Sequence, residues 1–116
     1  PAGYNYNVRE RGVMLSAGQR QLIAFLRAYV CNPSVLILDE ATSSVDIQTE
    51  NLIKQSINKL TDGRTSIIIA HRLATIQNAD KILVIDQGRI VESGKHSDLL
   101  KQRGFYSRLF ELQFSI

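Results

Sequence analysis

The chain has 116 residues and a mass of 13.0 kDa, enough for one hydrophobic core or for part of a larger domain. A hydrophobic fraction of 44% and a charged fraction of 22%, with 7 Gly and 2 Pro, exclude a disordered, collagenous or low-complexity chain. A net charge of +3 without clustering argues against nucleic acid as a partner, and one cysteine excludes an internal disulfide or a zinc site and fits a reducing compartment.

No apolar run exceeds five residues, too short to span a membrane, and no signal-peptide pattern opens the chain; a soluble intracellular piece is expected. Residues 1–14 hold Gly3, Asn5, Asn7 and Gly12 among scattered charges, which predicts a loop. Leu22, Phe25, Leu26, Tyr29 and Val30 then recur at helical spacing and predict a helix buried along that face, stopped by Asn32-Pro33. Val35-Leu36-Ile37-Leu38 is an apolar run without alternation, as in a strand buried on both faces of a parallel sheet, and it ends in Asp39-Glu40. After a polar turn over 42–46, a second helix carries Ile53, Ile57 and Leu60 on one face.

Asp62-Gly63 turns the chain into a β-branched run over 65–70, a second buried strand. A short helical stretch near 74–78 leads to a strand over 81–86, and Gln87-Gly88 predicts a hairpin into 89–92. Short helices follow at 97–101 and around Phe105, Leu109 and Leu112, with Phe105, Phe110 and Phe114 as packing aromatics. Cys31 is expected at a buried or boundary position, and His96 in a turn entering the next helix. Alternating strands and helices place the chain in the α/β class, with a mostly parallel sheet, flanking helices and an antiparallel addition.

Three sites carry chemistry. Ser16 and Gln19 stand three apart where loop becomes helix, a capping-box spacing, and Gly18 between them suits a close approach to a positive helix end by a phosphate. Asp39 and Glu40 end a central strand, where open α/β sheets bind ligands; a divalent cation on Asp39 and proton transfer by Glu40 would account for both carboxylates. His71 follows the next strand and suits a hydrogen bond to a phosphate or the positioning of a water.

Leu15 to Gln19, Val35 to Glu40, Ser43-Ser44-Val45-Asp46 and Ile69-Ala70-His71-Arg72 resemble, in order, the signature, Walker B, D-loop and H-loop of an ATP-binding cassette (ABC) ATPase. Glu10-Arg11-Gly12 ahead of the signature looks like the exporter-type branch, in which that loop faces the membrane domain. The resemblance implies part of a P-loop NTPase-type fold: residues 1–33 as the end of the helical subdomain, and 34–116 as part of the RecA-like core with a C-terminal antiparallel hairpin and helices. It implies ATP and Mg²⁺ as cofactors, with Asp39 on the metal, Glu40 as general base and His71 sensing the γ-phosphate. Ser16, Ala17, Gly18 and Gln19, with Ser43 and Asp46, would serve a nucleotide shared with a second nucleotide-binding domain in a head-to-tail dimer. Transmembrane domains would be the other partner, at the cytoplasmic face of the membrane. Ala17 stands where the commonest signature has glycine, and Ser44 and Val45 replace the usual Ala and Leu of the D-loop.

No G-x-x-x-x-G-K-[ST] loop occurs in the sequence. The expected chain is therefore the C-terminal half of a nucleotide-binding domain, inactive alone, whose missing phosphate-loop strand leaves two strands with a free edge that invites self-association, local closure or aggregation. Two alternatives are the ATPase head of a chromosome-maintenance or DNA-repair protein, and a non-catalytic remnant used as a binding module. The Gln19-Arg20-Gln21 sequence favours the transporter over the first, and retention of Glu40 and His71 argues against the second.

Overall fold

The computed structural model describes residues 3–39 and 46–115. The chain divides into two compact units, Pro1–Ile69 and Ala70–Ile116.

The first unit opens on two short 3₁₀ turns, Gly3–Asn5 and Glu10–Gly12, where the sequence predicted only loop. Helix α1 (Ala17–Cys31) follows, capped at Ser16 as expected, and ends on Asn32 in the left-handed conformation that favours Asn and Gly. Strand β1 (Val35–Asp39), helix α2 (Ile47–Thr61) and strand β2 (Thr65–Ile69) complete a β-α-β unit. β1 and β2 run parallel, from Val35 opposite Thr65 to Asp39 opposite Ile69. Their core holds Phe25, Leu36, Ile53, Ile57 and Leu60, with Leu38 and Ile68 packed against it. The Arg64 guanidinium donates to the Asn32 side chain (3.2 Å) and the Pro33 carbonyl (3.5 Å), tying the entrance of β2 to the end of α1.

Burial departs from the sequence reading here. β1 and β2 are covered on one face only: Val35 and Ile37 are 55% and 66% exposed, and Ile67 and Ile69 stand open beside them. Their apolar runs are written for two covering layers, and α1 and α2 supply one. On α1, Phe25 is buried and Leu22 half-buried, whereas Leu26, Tyr29 and Val30 are exposed. Helical periodicity marks an apolar face, but α2 covers only the edge of it nearest Phe25. Cys31, the last residue of α1, is exposed rather than at a buried or boundary position.

In the second unit, α3 (Leu73–Ile76), β3 (Ile82–Asp86), β4 (Arg89–Gly94), α4 (His96–Gln102) and α5 (Phe105–Phe114) follow in order. Gln87 and Gly88 both take positive φ, 47° and 75°, and make the predicted hairpin turn. Ile85 pairs with Ile90 and Val84 with Glu92, so Val91 is the extra residue of a bulge. The α/β class, the parallel pair and the antiparallel hairpin are as expected, but they form two separate two-stranded sheets. No described strand pairs with the second edge of β2 or of β3.

The second core is Leu73, Ile82, Leu99 and Tyr106, the last two 0% and 1% exposed. On α5, Phe110 packs against this core as expected and its ring lies 4.5 Å from that of Phe114, whereas Phe105, Leu109 and Leu112 are exposed and Tyr106 points inward. α5 is apolar on several sides, so periodicity alone leaves its rotation open. Glu92 sets it. Its two carboxylate oxygens accept from the N–H groups of Phe105 (2.7 Å) and Tyr106 (2.9 Å), capping a helix whose own N-cap, Gly104, has no side chain to offer. A Cβ on Gly104 would fall on Glu92 Oε1, so a side chain there would push the carboxylate off its cap. His96 is the first residue of α4 rather than part of a turn, and its Nδ1 meets the Tyr106 hydroxyl at 2.7 Å.

Glu92→Ala and Gly104→Ala are each expected to cost about 1–2 kcal/mol, the value of a helix cap. The double variant is expected to cost no more than the worse single one. Denaturant titration of all three checks this, and additive losses would show that the two positions do not share one interaction.

Candidate functional site

The predicted site residues fall in both units. In the first, the chain before α1 is bent tightly: Arg9 and Arg11 have φ of 58° and 54°, and Gly12 one of 68°. Only glycine adopts the Gly12 conformation without strain. The Arg20 side chain lies 3.5 Å from where a Gly12 Cβ would stand, so this loop folds back on the first turn of α1. Ser16 and Gln19 then close a full capping box. Gln19 N–H donates to Ser16 Oγ at 3.1 Å, and Ser16 N–H to Gln19 Oε1 at 2.9 Å.

This box uses only the acceptor ends of the two side chains. The Ser16 hydroxyl keeps its proton and the Gln19 amide keeps both of its N–H donors. The backbone N–H groups of Ala17 and Gly18 have no acceptor among the described residues. Ser16, Ala17 and Gln19 are exposed and Gly18 is buried. Unspent donors at the positive end of a 15-residue helix suit an anion, and phosphate oxygens fit this donor set.

Asp39 ends β1 level with the end of β2, and its exposed carboxylate has no ion pair or hydrogen bond among the described residues. One open carboxylate suits Mg²⁺, which binds through one or two carboxylates, waters and substrate phosphates rather than an all-protein cage. No group of three or more His, Cys, Asp or Glu among the described residues could hold a metal unaided. A groove of about 410 Å³ between α1 and β1 ends at Asp39, with Phe25, Leu36 and Gln21 in its wall. Gln21 Oε1 is buried there without a hydrogen-bond partner. Sequence reading used Gln21 only within Gln19-Arg20-Gln21 as a family signal and gave it no role in a site.

These features meet similarity to known proteins. A family model for ABC transporters matches residues 3–43. The chain is 55% identical over 115 residues to an ATP-dependent lipid A-core flippase of Shewanella frigidimarina, covering 99% of this chain and 19% of that protein. It is 54% identical over 114 residues to multidrug resistance protein 1 of Entamoeba histolytica, covering 98% of this chain and 9% of that protein. A bacterial Atm1-family ABC exporter solved with ATP bound superposes with a TM-score of 0.84 at 46% identity, covering 98% of this chain and 20% of that one. The chain belongs to the ABC transporter family. It spans at most about a fifth of the length of these relatives.

Of the residues that the sequence reading assigned to signature, Walker B, D-loop and H-loop, Glu40 and Ser43 lie outside the described residues. Asp46 is the N-cap of α2: Thr49 N–H donates to its Oδ1 at 2.9 Å and Thr49 Oγ1–H to its Oδ2 at 2.6 Å. In the second unit, exposed His71 lies two residues beyond the end of β2, at the entrance to α3. Its carbonyl accepts from Gln113 Nε2 at 3.0 Å. Among the described residues no helix is long and apolar enough to cross a membrane.

The Thr49 hydroxyl, then the Thr49 amide, hold the Asp46 carboxyl below the usual carboxylate range. Because the folded-state value is lowered, this stabilisation is complete above the ordinary range near about pH 4 and is lost as pH falls through the lowered value. The acid limb of the stability–pH profile is therefore expected to flatten in Asp46→Ala. An acid limb unchanged by that substitution would show that the cap does not form in solution.

Proposed function

We propose that this chain is the signature-to-C-terminus segment of the nucleotide-binding domain of an exporter-type ABC transporter, and that the intact protein couples ATP hydrolysis to transport across a membrane. The donor set at the start of α1 carries the reading: a capping box that leaves the Ser16 hydroxyl, the Gln19 amide protons and two backbone N–H groups unspent. The relative solved with ATP bound supports nucleotide as the anion, and the flippase and drug-resistance names of the relatives support transport over chromosome maintenance.

In this reading Ser16, Ala17, Gly18 and Gln19 face the terminal phosphate of an ATP held mainly by a second nucleotide-binding domain. Asp39 holds Mg²⁺, which when bound would neutralise phosphate charge. Glu40 takes a proton from the attacking water, and the His71 imidazole donates to a γ-phosphate oxygen. Asp46, with Ser43, lies along the contact with the second domain; each Asp46 oxygen keeps a lone pair beyond its Thr49 bond. Transmembrane domains are the remaining partners, and the cytoplasmic face of the membrane is the location.

The segment alone is expected to be inactive, because positioning and charge stabilisation supply most of phosphoryl transfer and the sequence has no phosphate loop or its lysine. Mg²⁺-ATP hydrolysis measured on this segment, alone and mixed with the preceding half of the domain, tests the proposal. Activity is expected only in the mixture and is expected to vanish with Glu40→Gln. Hydrolysis by the segment alone that Glu40→Gln removes would overturn the need for the missing loop.

A further inference from the structure

The entrance to α3 is held by a side chain forty residues away in sequence. Gln113, near the end of α5, accepts from the Leu73 N–H through Oε1 at 3.0 Å and donates to the His71 carbonyl through Nε2 at 3.0 Å. The chemistry fixes the orientation of this amide, since the N–H requires an acceptor and the carbonyl a donor. One primary amide therefore bridges both ends of the stretch His71-Arg72-Leu73. Arg72, the N-cap of α3, is extended (φ −114°, ψ 119°) and makes no side-chain cap, so Gln113 supplies the acceptor the helix start needs. α3 is a single turn of 4 residues, too short to hold its own geometry.

The two ends are fixed differently. Leu73 is buried in the second core, which anchors the far end of the stretch. His71 is exposed, and the Gln113 bond to its carbonyl is what fixes the plane of its following peptide. With that plane held, rotation about the His71 Cα–C bond is restrained, and with it the backbone position from which the imidazole leaves. α5 is a firm base for this contact, because Glu92 caps its first turn and the Tyr106 ring is buried with its hydroxyl on His96.

We propose that Gln113 is a positioning residue for His71: its side-chain amide clamps the backbone on both sides of Arg72 and so aims the imidazole. The proposal rests on the role given to His71 above. It extends the machinery of hydrolysis to the end of α5, a helix with no predicted site residue.

The test uses the full-length transporter that contains this sequence, with Gln113→Leu, Gln113→Glu, His71→Ala and the double variant His71→Ala/Gln113→Leu. Leucine keeps the bulk of the side chain and removes both hydrogen bonds, while glutamate keeps the acceptor for Leu73. Gln113→Leu is expected to lower kcat for ATP by about three- to tenfold with KM changed by less than about twofold. Gln113→Glu is expected to recover part of the loss, the Leu73 amide to exchange faster in Gln113→Leu, and the double variant to be no slower than His71→Ala. Full kcat in Gln113→Leu, or losses that multiply in the double variant, would overturn the positioning role. A parallel loss of kcat and KM that glutamate does not relieve would overturn it too, in favour of a purely structural contact. Wild-type hydrolysis by His71→Ala would instead overturn the reading of His71, and the proposal with it.

Discussion

The parallel pairing of β1 with β2 beneath α1 and α2 is the constraint on which the first unit depends. Parallel neighbours cannot be joined by a tight turn, so a crossover is required, and α2 supplies it. The crossover buries Ile53, Ile57 and Leu60 against Phe25 and Leu36, and this one packing event fixes the helices and the strand register together. Register then decides chemistry. With Asp39 opposite Ile69, both strands end level, and the open carboxylate stands where the chain leaves the sheet. A slip of one residue would turn Leu36 and Leu38 out of the core, so the position of Asp39 is protected by hydrophobic burial rather than by any contact of its own.

The second unit has a smaller core and holds its short elements by another means. Glu92 caps α5, Gln113 caps α3, and the Tyr106 hydroxyl meets His96. Each is a side chain bonding across distant sequence, and each contributes only about 0.5–1.5 kcal/mol net. Their value lies in direction. A one-turn helix and a helix apolar on several sides gain from such bonds a fixed start and a fixed rotation that burial of Leu73 or Phe110 alone would leave loose. Burial also pushes the Tyr106 hydroxyl above its ordinary value, so this arrangement is kept below about pH 10 and weakens as the pH rises through the raised value.

Elements were legible in the sequence where a local signal dictated them. Ser16 with Gln19, Asn32-Pro33, Gln87-Gly88 and the Ile53, Ile57, Leu60 face were all read at the right places, because capping, turn and periodicity are properties of a few neighbouring residues. Burial was legible only in part. Leu26, Tyr29, Val35 and Ile37 belong to apolar patterns yet stand exposed, since a pattern states that a face is apolar and not that the chain brings the cover. The inward turn of Tyr106 was illegible for a related reason: it depends on Glu92, thirteen residues before Phe105 and on another element. Gln113 was invisible as well, because a glutamine bonding two backbone groups forty residues away leaves no local trace. Glu40 and Ser43 were legible as motif residues but lie outside the described part of the chain.

The alanine at position 17 is where fold and proposed chemistry meet most closely. Ala17 is the first residue of α1, and in a helix the Cα–Cβ bond tilts toward the N-terminus. Its methyl therefore leans toward the side on which an anion would meet the unspent donors of Ser16 and Gln19. Glycine would leave more room there, but alanine has the higher helix propensity. Ala17 takes no positive φ, so the methyl sits in the helix without backbone strain. The next position is different: Gly18 is buried, where Ala17 is exposed. Between the two positions the sequence has glycine where the residue is buried and alanine where it is exposed, and the alanine exchanges some room at the anion side for a helix start of higher propensity.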